Sequence, residues 1–397
     1  MSAEGRAGRR DTGEGARGSR ISNRLRALNL RAYGMLCVLV AIWIYFQAQT
    51  DGLFLSSGNM TNLLRQASLV AILAVGMVLV IVSGHIDLSA GSAVGLIAII
   101  AADLQINHGV ATVPTIALAI LAGLGMGVWQ GFWIAYAGVP SFVVTLAGLL
   151  MFRGIALVIT KGFTFAPFED SYLKVFQSFL EVGLSLALIV VVFLLYAAAT
   201  TWERLRFSGV PSASTVVNTV AVVLIVGGAC AYFAWVFADN RGMPVPILIL
   251  GCIAGVLAFG ARRTRFGRHL YAIGGNREAA RLSGINIRRN TFFVFVLMGA
   301  LYGVTGVLLG ARLASAPPNA GFFMELDAIA AAVIGGTSLM GGVGTIGGAL
   351  VGALLLQSIA NGMSLQNIQS DYQLIVTGML LIGAVYIDMV AKKRRSL

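Results

Sequence analysis

The chain has 397 residues, 58% of them hydrophobic and only 11% charged, with 49 glycines. A soluble globular chain would carry about 25% charged residues, so the composition excludes that class and indicates a polytopic membrane protein. The formal charge of +12 does not mark a nucleic-acid binder, because its arginines gather before the first apolar run, in one internal loop and at the chain end, where topology accounts for them.

Residues 1–31 are polar, with arginines at 6, 9, 10, 17, 20, 24, 26 and 31. Lacking an apolar centre, they read as a disordered basic cytoplasmic tail rather than a signal peptide, and residues 32–397 as the membrane domain. Apolar runs long enough for a core of about 30 Å are predicted near 33–50, 66–83, 113–137, 139–160, 181–200, 213–238, 244–261, 291–313, 326–340, 345–362 and 371–390. The run from Ser89 to Ala102 is short for a crossing of about 20 residues and is expected to be a half-helix or re-entrant segment. The expectation is therefore an all-α bundle of about 10–12 transmembrane helices with broken or re-entrant segments. Both termini, the Arg204 and Arg206 loop, and the basic loop at 262–290 should be cytoplasmic.

Cys37, Cys230 and Cys252 lie in apolar runs, where a thiol acts as a small hydrophobe, and His85, His108 and His269 have no metal-ligand spacing. The first polar interruption is Ser83-Gly84-His85-Ile86-Asp87-Leu88-Ser89-Ala90-Gly91-Ser92. Its freed backbone must find partners, and Asp87 or Ser89 is expected to accept from the first N–H groups of the next helix. Discontinuous helices often line translocation routes, which makes Asp87 and Ser89 gate or pathway candidates; a plain cytoplasmic turn is the alternative. Gly335 to Gly344 repeats the pattern, with Gly84, Leu88 and Gly91 aligning with Gly335, Leu339 and Gly342, as an internal duplication would.

The most informative segment is RRTRFGRHLYAIGGNREAARLSGINIRR, from Arg262 to Arg289, in which eight arginines face one acid, Glu278. Its centre is predicted to be a short helix capped by Asn276, with Glu278 in the first turn and Gly284 as a left-handed stop. A short capped helix projecting from a membrane protein is a docking surface in form. The four lysines precede Gly162, Val175, Lys393 and Arg394, so no Walker A lysine precedes Ser or Thr. If ATP drives the protein, the ATPase is a separate chain. The alternative energy source is an ion gradient relayed by Asp87 or Asp103. Glu325 and Asp327 are expected to offset the N–H groups of a helix start, and Asp388 to pair with Lys392. No nucleophile, base and orienting group assemble from these motifs, so an enzyme is not expected.

Gly84 to Ser92, Val139 to Leu146, Ala272 to Ile287 and Ala330 to Gly348 together resemble the permease subunits of bacterial ABC importers for monosaccharides, the ribose, xylose and arabinose or galactose group. The resemblance runs from about Asn59 to Asp388; His85 stands where the family usually has Gly. It implies an inner-membrane protein with a second permease copy, two ATP-binding modules, a periplasmic sugar-binding protein and membrane lipid as partners. It implies no cofactor on this chain, with ATP and Mg²⁺ held by the ATPase. It maps the coupling helix onto Asn276, Arg277, Glu278, Ala279, Ala280, Arg281, Leu282, Ser283 and Gly284, the two alanines letting the helix seat closely on the ATPase. An additional apolar region around 181–240 looks more like the xylose permeases. Phe163, Phe165, Phe168 and Tyr172, with Asn319, Phe322 and Phe323, are candidate sugar contacts near the predicted outer ends, or else an interfacial aromatic belt.

Overall fold

A computed structural model describes residues 34–207 and 213–396; the basic tail lies outside the described residues, as does the Asp388–Lys392 side-chain pair. Among the described residues the only strand-like pairings are two isolated bridges, Phe165 with Ala316 and Phe179 with Pro244. The helices are α1 (Gly34–Gln49), α2 (Ser57–Val82), α3 (Ala90–Ala102), α4 (Thr112–Ala135), α5 (Ser141–Thr160), α6 (Asp170–Gln177), α7 (Val182–Phe207) and α8 (Ala213–Asp239). They continue as α9 (Val245–Arg263), α10 (Arg265–Gly275), α11 (Arg277–Leu282), α12 (Ile287–Leu313), α13 (Met324–Ile334), α14 (Ile346–Leu365) and α15 (Ser370–Ser396). Nine helices among the described residues are long and apolar enough to cross a membrane, so the chain is a polytopic helical bundle.

Two apolar runs differ from expectation. α3 continues through a π-helical turn at Asp103–Asn107, which makes Ala90–Asn107 an 18-residue span rather than a half-helix. The half-helix is α13, whose 11 residues reach only about 16 Å, half the apolar core. Apolar composition continues past Ile334, but Gly336 at φ +90° turns the backbone left-handed and ends the helix before 340.

From Ala67 to Val82, α2 is apolar but for Ser68 and wholly buried at the centre of the bundle. Glycines let α4 and α12 approach closely. A Cβ at Gly127 would lie 2.9 Å from Gly299 Cα, and one at Gly303 2.7 Å from Ile120 Cα, so either side chain would force the helices apart. The additional apolar region forms the α7–α8 hairpin. It turns Val190, Leu194, Leu195 and Leu224 outward, as a lipid-facing pair of helices would.

α2 and α13 end alike. Gly84 N–H donates to Ile81 O at 2.9 Å and His85 N–H to Val80 O at 3.1 Å; Gly336 N–H donates to Val333 O and Thr337 N–H to Ala332 O, both at 2.9 Å. Gly84 and Gly336 are both left-handed, at φ +83° and +90°. The structurally equivalent glycine to Gly84 is thus Gly336, one residue from the Gly335 of the sequence alignment.

Candidate functional site: the α10–α11 segment and the two glycine turns

Thr264 ends α9 and starts α10, its hydroxyl accepting from Gly267 N–H at 3.2 Å. α10 buries Leu270 and Ile273, one helical turn apart, and leaves its basic residues outward. This helix was missed in the sequence, where it reads simply as basic loop. Its apolar face sits on both breaks. Tyr271 Oη donates to Gly344 O at 2.8 Å, and Gly274 lies against the Val82 carbonyl and 2.7 Å, measured from an added Cβ, from Gly342 N. Gly342 N–H donates to Val82 O at 2.9 Å, tying the end of α2 to the glycine-rich loop. Burial raises the pKa of the Tyr271 phenol, against the opposing field of Arg262.

α11 forms as its caps dictate. Asn276 Oδ1 accepts from Ala279 N–H at 2.9 Å, Gly284 is left-handed at φ +78°, and Ile285 N–H closes the turn on Ala280 O at 3.1 Å. Arg281 and Glu278 pair at 2.6 Å on the exposed surface, an interaction that contributes little stability but orders the face. Asn276, Arg277, Glu278, Ala279, Arg281, Ser283 and Gly284 are exposed, and Leu282 is 79% exposed. Ala280, expected to face a partner beside Ala279, is instead buried. One alanine seats the helix on its own protein and the other is offered outward. An exposed leucine between an ion pair and a glycine turn has the form of an apolar knob awaiting a socket.

His85 lies between the spans α2 and α3, at this same end. It packs edge-on to Phe295 at 5.9 Å and sits 3.4 Å from the Thr291 hydroxyl. Burial, helped by the charge of Arg277, pushes its pKa down to about 4, so it is neutral at neutral pH.

Beyond His85, Asp87 and Ser89 are fully buried. Asp87 Oδ1 accepts from Ser89 N–H at 2.9 Å and Ser89 Oγ at 2.7 Å, while its Oδ2 accepts from Tyr302 Oη. Gln130 completes the cluster: its Nε2 donates to Ser89 Oγ at 2.5 Å and its Oε1 accepts from Tyr302 Oη at 3.3 Å. Asp87, Ser89, Gln130 and Tyr302 together therefore tie α4 and α12 to the start of α3. Ser89 does not cap that helix through its side chain. Asp103 lies far along the same span, bonded to Asn107 at 2.8 Å and 3.5 Å from His108. The two carboxylates considered for an ion relay thus belong to separate networks.

The aromatic candidates divide. Phe168 and Tyr172 stack at 4.4 Å and are buried against Gly310, so they are core rather than exposed sugar contacts. Phe163 is exposed and Phe165 half-buried. Phe165 pairs with Ala316, Ala316 N–H donating to Phe165 O at 2.9 Å, which draws the segment carrying Phe163 and Phe165 towards the one carrying Asn319 and Phe322. Asn319 and Phe322 are exposed. Arg153, which the sequence reading passed over, organises this loop: Nη1 donates to Pro318 O at 3.2 Å and Ala320 O at 3.0 Å, and the guanidinium lies 5.6 Å from the Phe322 ring. Glu325 and Asp327 stand in the first turn of α13 as expected.

The amphipathic α10 and the exposed α11 thus sit at one end of the bundle, where α10 is braced on the turn that joins the spans α2 and α3 and on the glycine-rich loop after the half-helix α13. Residues 59–385 match the family described as "Branched-chain amino acid transport system / permease component", and the chain belongs to it. It is 43% identical to the xylose transport system permease protein XylH of Escherichia coli K12, over 93% of this chain and 94% of that one. It is 42% identical to XylH of Haemophilus influenzae, over 94% and 99% respectively. Against the ribose import permease protein RbsC of Escherichia coli K12 it is 34% identical, over 84% of this chain and 87% of the relative. No solved structure matches the chain.

Proposed function

We propose that this chain is the permease subunit of an ATP-driven importer of a monosaccharide, xylose first among related pentoses and hexoses, in a bacterial inner membrane. The observation that carries the mechanism is the contact of Gly274 with Val82 and Gly342, which joins the α10–α11 unit to both breaks. The relatives named for xylose and ribose transport support the substrate class.

In this reading a second permease copy completes the pathway, an ATP-binding subunit seats on Arg277, Glu278, Ala279, Arg281 and Leu282, and a soluble binding protein delivers the sugar at the opposite end. The arginine-rich end and both termini are cytoplasmic. ATP and Mg²⁺ belong to the partner, so this chain supplies route and gate. Movement of α11 displaces α10, and α10 shifts the ends of α2 and of the 335–344 loop together. Asp87, Tyr302, Gln130 and Ser89 keep the start of α3 attached to α4 and α12 while this occurs, and Phe163, Asn319 and Phe322 edge the sugar's entry.

Uptake of radiolabelled xylose, ribose, arabinose and galactose, in cells without their own pentose importers but expressing this chain with its ATPase and binding protein, tests the reading. Accumulation of one sugar, abolished by Glu278→Arg with normal membrane insertion, is expected. Accumulation that persists in Glu278→Arg and collapses with the proton gradient while ATP stays high would overturn it.

A further inference from the structure

Residues 314–323 join the end of α12 to the half-helix α13 with no helix of their own, yet the segment runs down inside the bundle. Ala316 pairs with Phe165 at the end of the molecule away from α10, whereas the Ala320 carbonyl lies against Gly95 and Gly321 against Gly91, in the first two turns of α3. The span that starts at Ala90 reaches that far end only at Asn107, so Gly91 stands about 24 Å below it and Gly95 about 18 Å. Non-helical backbone at such depth persists only where it is buried in protein or lines a water-filled cavity. Part of this segment is not buried. Asn319 and Phe322 are exposed, Phe322 at 59%, and an exposed amide turned to hydrocarbon would lack partners, so this side of the segment faces water.

Arg153 meets the segment from α5. It lies seven residues before Thr160 ends that helix, about 10 Å inside the span, where a charged side chain marks a pathway or a partner. Among the described residues it is in no ion pair. Only its Nη1 is used within the protein, on the carbonyls of Pro318 and Ala320. Its Nε and Nη2 have no protein acceptor among the described residues and are not shut off from the surroundings. The Phe322 ring lies 5.6 Å from the guanidinium and 3.9 Å from the Phe323 ring, centre to centre. Phe323 sits at φ +62°, a left-handed conformation that a bulky aromatic rarely adopts and that gathers at functional sites. That turn leaves Phe322 outward and carries Glu325 inward against Gly91. A free aromatic face, free guanidinium N–H groups and a free amide together match a neutral sugar: its ring C–H groups lie on Phe322, its hydroxyls accept from Arg153, and the Asn319 amide both donates and accepts. Glu325 is near enough for its charge to act on Arg153, which disfavours an anionic ligand at the same place.

We propose that Arg153, Asn319 and Phe322 form a binding station for a neutral monosaccharide inside the membrane, with Arg153 as its hydroxyl donor, an inference that rests on the importer reading above. One ring face and a few hydrogen bonds hold a sugar weakly, which suits a station that the sugar must enter and then leave.

The test uses the full complex of this chain, its ATPase and its binding protein in proteoliposomes, with Cys37, Cys230 and Cys252 replaced by alanine and one cysteine introduced at a time. A charged thiosulfonate reagent needs a hydrated thiolate, so Asn319→Cys and Phe322→Cys are expected to label and xylose, but not sucrose, to slow the labelling several-fold. Leu195→Cys, on the outward face of α7, should stay unlabelled. Without the reagent, Phe322→Ala should lower xylose transported per ATP hydrolysed about tenfold at an unchanged melting temperature, and Phe322→Trp should restore it. Arg153→Lys keeps the charge but loses the forked N–H groups and should lower the same ratio. If the complex takes up xylose while both cysteines stay unlabelled, or label at a rate that xylose does not change, the station is refuted and the importer reading stands. Wild-type transport ratios in Phe322→Ala and Arg153→Lys would refute it equally. If the wild-type complex accumulates no monosaccharide, the importer reading itself fails, and the station with it.

Discussion

Gly274→Ala is expected to separate ATP hydrolysis from transport. A methyl group there would overlap the Val82 carbonyl and stand 2.7 Å from Gly342 N, inside the space of the 2.9 Å hydrogen bond that ties the two breaks. Overpacking a tight site costs about 1–3 kcal/mol, and weakening that bond adds about 0.5–1.5 kcal/mol. The neighbouring Gly275 has nothing within 4 Å of an added Cβ, so Gly275→Ala carries the same change in helix propensity without the clash and should be neutral or slightly stabilising. Both variants would be purified with the ATPase and compared by thermal unfolding, ATP hydrolysis and xylose uptake in proteoliposomes. Gly274→Ala should unfold at lower temperature and lose most uptake while retaining the ATPase, whose seat on α11 is untouched. Equal stability and uptake in the two variants would refute the proposed transmission through α10.

Leu282→Ser removes an exposed leucine from the docking face; burying that side chain in a partner is worth about 1.5–3 kcal/mol, so affinity for the ATPase should fall at least about tenfold with an unchanged melting temperature, as measured by titration. Tyr302→Phe deletes a donor to Asp87 and should cost about 1.5–3 kcal/mol, seen as a lower unfolding temperature, with residual uptake still indifferent to a protonophore. His85 has its pKa lowered to about 4 by burial and by Arg277, so the unfolded chain takes up its proton first and stability declines as pH falls from about 6.5 towards 4. The difference in melting temperature between pH 7 and pH 5 should therefore shrink in His85→Asn, and an unchanged difference would show that this imidazole is not the responsible group.

Local chemistry made α11 legible. Asn276, Glu278 and Gly284 carry cap, first turn and stop within nine positions of one another, and the caps formed where they were read. α10 was hidden because its arginines dominate the composition, although Thr264 ahead of Gly267 and the spacing of Leu270 and Ile273 are a helix signal. Glycine abundance blurred the internal repeat, since several alignments of glycines are available and only positive φ at Gly84 and Gly336 selects the structural one. The same richness concealed the α4–α12 seam, whose signal was Gly123 and Gly127 facing Gly299 and Gly303 at four-residue intervals, with Gly131 continuing the row against Phe292.

Long-range polar contacts were beyond the sequence. Asp87 was singled out by its polar break, but nothing local identifies Tyr302 or Gln130 as its partners, because the fold brings them together from different helices. Phe168 and Tyr172 looked like exposed aromatics since their segment is mixed in polarity, yet the bare backbone at Gly310 leaves room for both rings. Arg153 was passed over within an otherwise apolar run, where its two carbonyl acceptors come from a loop more than one hundred and sixty residues away.

The most direct measurement of the central claim is ATP hydrolysis by this chain with its ATPase in nanodiscs, with and without the loaded sugar-binding protein. The account predicts hydrolysis stimulated by the xylose-loaded protein and lost in Glu278→Arg. No association with an ATPase, together with gradient-driven xylose uptake by this chain alone, would contradict it.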